Sequence, residues 1–278
     1  MGRALEALRQ PSQARLEPLF RWPGGKRWLV SQLAELVPDP TGTYHEPFFG
    51  AGALFFAIRP SQAVLSDANC ELMASYGAIR IAPQEVAHCL HDLPRDRDAY
   101  YRIRASKPVD AVERAARFIY LSKLAFNGIY RVNRQGEFNV PYGGRHYPAL
   151  GSVGSLGPYA EALSGAELRS DDFEAAVSTA VAGDFVYLDP PYTAAHANNG
   201  FLRYNERIFS WKDQQRLAAV AIDLDRRGCI VVVSNAAHRT IRDLFRSFRS
   251  LPASRHSRIA ANPAHRKRID ELIFTNVR

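Results

Sequence analysis

The chain has 278 residues, of which 46% are hydrophobic and 23% charged, so it can form a packed core and global disorder is excluded. Its 36 lysines and arginines outnumber its 28 aspartates and glutamates, and the net charge of +8 at pH 7 favours a polyanionic partner. Its 3 cysteines stand far apart, and no apolar run is long enough to cross a bilayer, which argues against a disulfide framework, a metal site and a membrane protein.

The first segment, residues 1–18, mixes small, basic and polar side chains and ends at Pro18. It lacks the apolar run of a secretory signal, so we expect a flexible tail. Together with cysteines that need no oxidising compartment, this predicts a cytoplasmic protein.

A strand, helix, strand pattern follows the tail. Apolar residues at helical spacing predict a helix over 26–37, and residues 43–48 predict a strand that leads through a Gly-Ala-Gly turn into a second helix. Residues 63–66 form a second short apolar strand, and Asp67 stands just past its end. This order is typical of a parallel α/β sheet.

Helical patterns then dominate from residue 70 to residue 151, with helices expected over 71–79, 83–92, 98–105 and 111–126. Basic and aromatic residues gather in the loop-rich stretch from Phe126 to Tyr147. The change of character predicts a mostly helical domain inserted into the α/β domain.

The α/β pattern resumes after the insertion. Residues 184–189 and 229–234 are continuous apolar strands, and an amphipathic helix over 212–227 connects them. The sequence therefore predicts one α/β domain made of residues 19–69 and 152–278.

The turn after the first strand is a candidate nucleoside site. Gly50 and Gly52 let a ligand approach the backbone, and the fuller dinucleotide glycine pattern is missing, which favours a nucleoside without phosphates. Asp67 is placed to accept hydrogen bonds from ribose hydroxyls, and Lys26, near Trp22, is suited to the carboxylate of an amino-acid-like cofactor. A plain turn with a capping aspartate and a surface turn are the structural alternatives.

A second candidate site is Asp189-Pro190-Pro191-Tyr192, which follows an apolar strand. Two prolines fix the backbone there. The Asp189 carboxylate and the Pro190 carbonyl could accept both hydrogens of an adenine amine, favouring a nitrogen with a free lone pair, while Tyr192 could stack on the flipped base. A rigid turn alone would explain the prolines, but not the acidic and aromatic residues that flank them.

At these motifs the chain resembles the Dam-type (D12-class) adenine-specific DNA methylases, with the cofactor motif first, and the likeness runs from Leu19 to Thr275. The matching segments are residues 21–26, 46–52, 66–69, 126–131, 136–143, 189–192 and 266–272. The resemblance implies a Rossmann-like S-adenosylmethionine-dependent methyltransferase fold: a mixed seven-stranded sheet with an antiparallel final strand, and a helical target-recognition insertion. It also implies methyl transfer from S-adenosylmethionine to the N6 amine of a flipped adenine in double-stranded DNA.

The resemblance implies two sets of binding residues. For S-adenosylmethionine they are Trp22, Lys26, Glu46, Phe48, Gly50, Gly52, Asp67, Asp172, Phe173 and Asp189. For DNA they are Arg21, Lys123, Asn127, Ile129, Arg131, Asn133, Arg134, Pro141, Tyr142, Arg266, Lys267 and Arg268.

Within the DNA set, Arg131 is the best candidate for reading a base, because arginine binds guanine edges with two hydrogen bonds. The basic residues at 266–268 flank an expected hairpin and are better suited to phosphates. The structural alternative is a solvated basic loop over buried aromatic residues.

Several alternatives stay open at this stage. The same pocket chemistry would serve cytosine amines or RNA adenines, although cytosine-amine enzymes of this kind usually carry serine in place of Asp189. A non-catalytic DNA-binding relative is the third reading. A GATC site is the default expectation from the resemblance, and we expect a monomer that binds no metal and is associated with the nucleoid. A restriction system, a phage and a solitary enzyme are equally compatible contexts.

Overall fold

The computed structural model describes residues 16–39, 41–133, 135–144, 155–192, 209–256 and 268–278, with only the backbone at 254–256 and 268–270. Its strands are β1 (Tyr44–Glu46), β2 (Ala63–Ser66), β3 (Ala166–Arg169), β4 (Phe185–Leu188), β5 (Ile230–Ala236), β6 (Arg249–His256) and β7 (Arg268–Thr275). They form one seven-stranded sheet in the order β3-β2-β1-β4-β5-β7-β6. Strands β1 to β5 pair in parallel, whereas β7 is antiparallel to β5 and β6. The predicted mixed sheet and its antiparallel final strand are confirmed.

The helices of the described residues are α1 (Val30–Ala34), α2 (Ala53–Ile58), α3 (Cys70–Ile81), α4 (Pro83–Asp92), α5 (Arg97–Ala105), α6 (Ala111–Leu124), α7 (Gly157–Leu163), α8 (Phe173–Ala176), α9 (Trp211–Arg226) and α10 (Arg239–Leu244). Aspartate, asparagine and serine side chains accept backbone amide protons at the starts of α3, α5, α6 and α9. None of these helices is long and apolar enough to cross a membrane.

Several helix and strand boundaries predicted from the sequence were wrong. The first helix is α1 alone, because residues 26–29 form turns in which the Leu29 amide bonds to the Lys26 carbonyl. Strand β1 ends at Glu46, since Pro47 has no amide proton to donate. The helix expected over 111–126 ends at Leu124, and residues 126–128 form a 3-10 turn. Strand β3 was not predicted, because its four residues lack a continuous apolar run.

One of the two hydrophobic clusters of the described residues extends from the sheet into the helices that follow β2, and the other lies around α9 and β5. Tyr44 and Phe55 of the sheet region belong to the same buried cluster as Tyr100 and Ala116 of the helical region. The division of the chain at residue 70 therefore stays a prediction. Of the expected tail, residues 1–15 lie outside the described residues, whereas Leu16 packs against this core.

Sheet order brings the candidate motifs together. Strands β1 and β4 are hydrogen-bonded neighbours and run in parallel, with Tyr44 opposite Phe185. The loops that follow them, residues 47–52 and 189–192, therefore leave the sheet at the same edge. In parallel α/β sheets this edge, at the carboxyl ends of the strands, is where ligands bind.

Candidate active site

The acidic turn at the end of β4 is built on four consecutive buried residues, Phe185–Leu188. Gln214 braces the turn from α9: its Nε2 donates to the Pro191 carbonyl at 3.5 Å, and its Oε1 accepts from Asn235 Nδ2 at 2.9 Å. Pro190 is buried and Asp189 is partly exposed, with 17% of its side chain accessible. The carboxylate is thus held at the surface of a rigid corner.

Lys26 reaches this corner from the segment before α1. Its Nζ lies 2.9 Å from Asp189 Oδ1 and 3.7 Å from Glu271 Oε2, and it donates to the Gly24 carbonyl at 3.0 Å. Lys26 and Glu271 are 5% and 3% exposed, so both charges are withdrawn from water. Lys26 thereby joins the segment before α1 to Asp189 and to Glu271, which are far away in the sequence, through opposite charges.

Tyr192 is held by the same charged group. Its hydroxyl donates to Glu271 Oε2 at 2.8 Å, and Lys26 Nζ lies 4.5 Å from the centre of its ring. Burial raises the pKa of Tyr192 well above its usual value, and the charges of Asp189 and Glu271 act in the same direction. The phenol therefore keeps its proton and anchors the ring.

Two residues of this site were missed in the sequence. Ser234, on β5, donates to Asp189 Oδ1 at 2.6 Å and contacts the Tyr187 hydroxyl at 3.0 Å. Glu271 lies on β7, opposite Ala236 of β5. The sequence did contain a signal for both: each is a polar residue in or beside an apolar strand, and a polar group that is buried with its strand needs a hydrogen-bonding partner.

The Gly-Ala-Gly turn adopts a backbone that a side chain would strain. Gly50 has φ +49°, and a Cβ placed there would lie 2.8 Å from Trp22 Cδ1; Gly52, with φ +63°, directly precedes α2. Asp67 holds the turn from the end of β2, with Oδ2 accepting from the Gly50 amide and Oδ1 from the Asn69 amide, both at 2.9 Å. A carboxylate offers about four acceptor positions, so Asp67 retains capacity for ribose hydroxyls.

Glu46 stands between the two motifs, at the end of β1. It is buried and accepts the Tyr44 hydroxyl at 2.7 Å. Burial raises the pKa of Glu46 well above its usual value, and the negative charges of Asp189 and Asp67 act in the same direction. Three carboxylates thus lie near one another at or just after the ends of β1, β2 and β4, which is an environment suited to a cationic ligand.

Three residues expected to bind S-adenosylmethionine, namely Phe48, Asp172 and Phe173, lie close together. The rings of Phe48 and Phe173 stack with their centres 5.4 Å apart, and the Arg216 guanidinium lies 4.8 Å from the centre of the Phe173 ring. Asp172 caps α8 through the Glu174 amide and pairs with Arg216 at 2.7 Å. The partly exposed Phe48 ring and the exposed Asp172 carboxylate are therefore available to a ligand, whereas Phe173 is only 5% exposed.

Trp22 connects the glycine turn with the helical region. One part of its indole lies against Gly50, and its rings stack on Tyr130 with centres 5.2 Å apart. Tyr130 directly precedes Arg131, the candidate base reader. A single side chain thus forms part of both the nucleoside site and the segment expected to contact DNA.

The segment after α6 carries several residues of the expected DNA set. Asn127 has φ +55°, and a Cβ at Gly128 would lie 2.7 Å from the Arg21 side chain. Burial lowers the pKa of Lys123, and the neighbouring positive charge of Arg21 lowers it further. Two cations are thus close together here, as expected for a surface that faces phosphates. Ile129 is half-buried.

Arg131 lies on an antiparallel loop closed by a bridge between Val132 and Phe138. Its side chain is exposed, and its Nε donates to Asn139 Oδ1 at 2.8 Å. Asn133 shapes the turn, since its Oδ1 accepts the Glu137 amide proton at 2.9 Å.

The remaining DNA candidates are dispersed or undescribed. Pro141 is exposed and its carbonyl accepts from the Phe126 amide, whereas Tyr142 donates to the Arg95 carbonyl at 3.0 Å. Residues 134, 266 and 267 lie outside the described residues, and Arg268 begins β7 with its side chain undescribed. Among the described residues there is no cluster of histidine, cysteine, aspartate and glutamate suited to a metal ion.

Known proteins resemble this chain over most of its length. The model of the family D12 class N6 adenine-specific DNA methyltransferase matches residues 22–259. The chain is 35% identical, over 97% of its length and 98% of the relative's, to the Type II methyltransferase M1.LlaDCHI of Lactococcus lactis subsp. cremoris. It is 32% identical to the Type II methyltransferase M.MjaIII of Methanocaldococcus jannaschii, over 80% of this chain and 84% of that protein. It is 29% identical to the DNA adenine methylase of Escherichia coli, over 91% and 93%.

Proposed function

The chain belongs to the D12 class N6 adenine-specific DNA methyltransferases, and on that premise we propose which of its residues bind the methyl donor, the adenine and the DNA. It is an enzyme that methylates adenine in DNA. The observation that carries the proposal is that Lys26 meets Asp189 and Tyr192 just after β4, the parallel neighbour of the strand β1 that leads into the Gly50 turn.

We propose S-adenosylmethionine as the donor. When bound, it supplies an electrophilic methyl group on a sulfonium. The residues present fit it, because Asp67 and Asp189 lie near the buried Glu46, and a bound sulfonium or ammonium would favour the ionised form of Glu46. Lys26 would hold the donor's carboxylate, and Asp67 its ribose hydroxyls. The face of Phe48 and the pair Asp172–Phe173 would bind its adenine.

The target amine would be activated by hydrogen bonds at the acidic turn. An adenine amine is a weak nucleophile because its lone pair is delocalised into the ring. Asp189 and the Pro190 carbonyl would accept its two hydrogens, and the buried proline corner keeps both acceptors in place. Tyr192, anchored through Glu271, would stack on the extruded base. The proton released from the amine would leave along the hydrogen bond to Asp189.

We propose that DNA binds across the segment after α6. Arg131 is exposed on its loop and would read a guanine edge, while Arg21 and Lys123 would neutralise phosphates. The exposed ring of Phe126, with 51% of its surface accessible, is suited to stacking where a base has left the helix. Pro141 and residues 266–268 would add further contacts.

The recognition site and biological setting are also proposals. We propose a short site such as GATC and action as a monomer on DNA in the cytoplasm. The relatives from Lactococcus lactis and Methanocaldococcus jannaschii are named Type II methyltransferases, so a partnership with a restriction enzyme is the setting that these names favour. Sequencing modified bases in DNA from cells that express the chain would identify both the product and the site.

Methyl-transfer assays test the residue assignments. Purified protein, tritiated S-adenosylmethionine and duplex DNA should yield N6-methyladenine, identified by mass spectrometry of the released nucleosides. Asp189→Asn should abolish transfer, and its donor affinity should be measured alongside, because Asp189 also belongs to the proposed donor site. Parallel reactions with structured RNA and with duplex DNA that offers cytosine as the target would test the competing substrates. Methylation of RNA or of cytosine without methylation of adenine in duplex DNA would overturn the assignment.

A further inference from the structure

Two buried hydroxyl groups behind Asp189 form a chain of hydrogen bonds. Ser234 Oγ lies 2.6 Å from Asp189 Oδ1 and 3.0 Å from the Tyr187 hydroxyl oxygen. A serine hydroxyl has a single proton, and an ionised carboxylate can only accept. Ser234 must therefore donate to Asp189, which leaves its oxygen to accept the proton of Tyr187. These hydrogen bonds therefore run in one direction, from Tyr187 through Ser234 to Asp189.

Burial protects these two hydrogen bonds. Ser234 and Tyr187 are 0% and 1% exposed, and they lie on the neighbouring strands β5 and β4. Burial raises the pKa of Tyr187 well above its usual value, and the charge of Asp189 adds to the effect, so the phenol keeps the proton that it donates. Water does not reach the two hydroxyls to compete for these bonds.

Both contacts of Asp189 within the described part of the chain converge on one oxygen. Oδ1 accepts from Ser234 at 2.6 Å and faces Lys26 Nζ at 2.9 Å. Two donors on Oδ1 fix the rotation of the carboxylate about its Cβ–Cγ bond. The other oxygen, Oδ2, is then the atom left for a substrate.

We propose that Ser234 is a positioning residue for methyl transfer: together with Lys26 it holds Oδ1 of Asp189, so that Oδ2 is presented to the target amine. This rests on the proposed catalytic role of Asp189. Ser234 acts through Asp189, and Tyr187 acts through Ser234.

The test begins with Ser234→Ala under single-turnover conditions. The methyl-transfer rate should fall by about 10- to 100-fold, as expected when a charged acceptor loses one hydrogen bond. The dissociation constants for S-adenosylmethionine and for DNA should change less than about threefold, because Ser234 touches neither ligand in the proposed arrangement. A 2-aminopurine placed at the target position should still report base extrusion. Ser234→Thr, which keeps the hydroxyl, should retain most of the rate.

A second variant separates positioning from folding. Ser234→Ala leaves the buried Tyr187 hydroxyl without its partner, and this should lower the melting temperature. Adding Tyr187→Phe removes the unpaired hydroxyl and should restore the melting temperature without restoring the rate. A merely structural role predicts that rate and stability recover together.

The outcomes are distinguishable from those for the proposed function. Ser234→Ala with a wild-type single-turnover rate, a loss confined to ligand affinity, or a rate restored by Tyr187→Phe would each overturn the positioning role. If Asp189→Asn is inactive while Ser234→Ala is fully active, only this inference fails. If Asp189→Asn remains active, the catalytic assignment of the proposed function fails first.

Discussion

Removing the buried cation from the active site should strongly destabilise the fold. Lys26→Met takes away the ammonium that lies 2.9 Å from Asp189 and 3.7 Å from Glu271. With an effective dielectric constant of about 20, Coulomb's law gives gross attractions of about 6 and about 4 kcal/mol for contacts of 2.9 and 3.7 Å. Desolvation of the ammonium offsets much of this, and breaking a buried pair by removing one partner costs about 3–5 kcal/mol.

Urea denaturation followed by circular dichroism would measure the change. We expect the free energy of unfolding to fall by about 3–5 kcal/mol in Lys26→Met at neutral pH. Adding Glu271→Gln removes one of the two carboxylates that lose Lys26 as a partner and should recover about 1–2 kcal/mol, a coupling expected for groups in contact.

The neighbouring residue supplies a matched control. Arg27 also pairs with a glutamate, Glu17, but these side chains are 60% and 61% exposed. Arg27→Met should therefore cost about 1 kcal/mol or less. The reasoning fails if Lys26→Met is no more destabilising than Arg27→Met, or if Glu271→Gln deepens the loss in the Lys26→Met background.

Three further predictions use other residues of the fold. Because burial raises the pKa of Glu46, binding of the cationic donor should release a proton from Glu46 and should tighten as the pH rises. Titration calorimetry in buffers of different ionisation enthalpy measures the number of protons released. The same number in Glu46→Gln would contradict this origin. Burial lowers the pKa of His45 from 6.5, so below about pH 6.5 the unfolded chain binds a proton that the folded protein does not, and the free energy of unfolding should fall. Urea denaturation at a series of pH values should show a smaller fall in His45→Gln. The same pH dependence in both proteins would argue against this origin. Arg131→Ala should relax sequence preference by about 1–3 kcal/mol at one base pair, whereas Lys267→Ala should weaken binding to all duplexes alike; equal losses across every site variant for Arg131→Ala would refute base reading.

Local patterns in the sequence were sufficient to locate the central strands and the acidic turn. Residues 63–65 and 185–188 are continuous apolar runs, which is what a strand buried on both faces requires. Asp189 follows such a run and is fixed by prolines, so its place at the sheet edge followed from the order of strands.

The contacts around Asp189 were not predictable in the same way. Ser234 and Glu271 enter the site because β5 pairs with β4 on one side and with β7 on the other. Such pairings join residues far apart in the sequence and depend on the packing of the whole sheet. Lys26 was expected to face the donor, but its pairing with Asp189 and Glu271 depends on the turns that replace the first part of the expected helix.

In the proposed arrangement, the shared position of Trp22 would limit how freely this enzyme could acquire a new recognition sequence. A recognition segment transplanted from a relative would bring its own residue to the place of Tyr130, and that residue would press on the indole that lies against Gly50. Chimaeras with mismatched aromatic partners would then lose donor affinity along with their old specificity. Successful exchanges should carry residues 21–26 and the loop after α6 together, as one inherited unit.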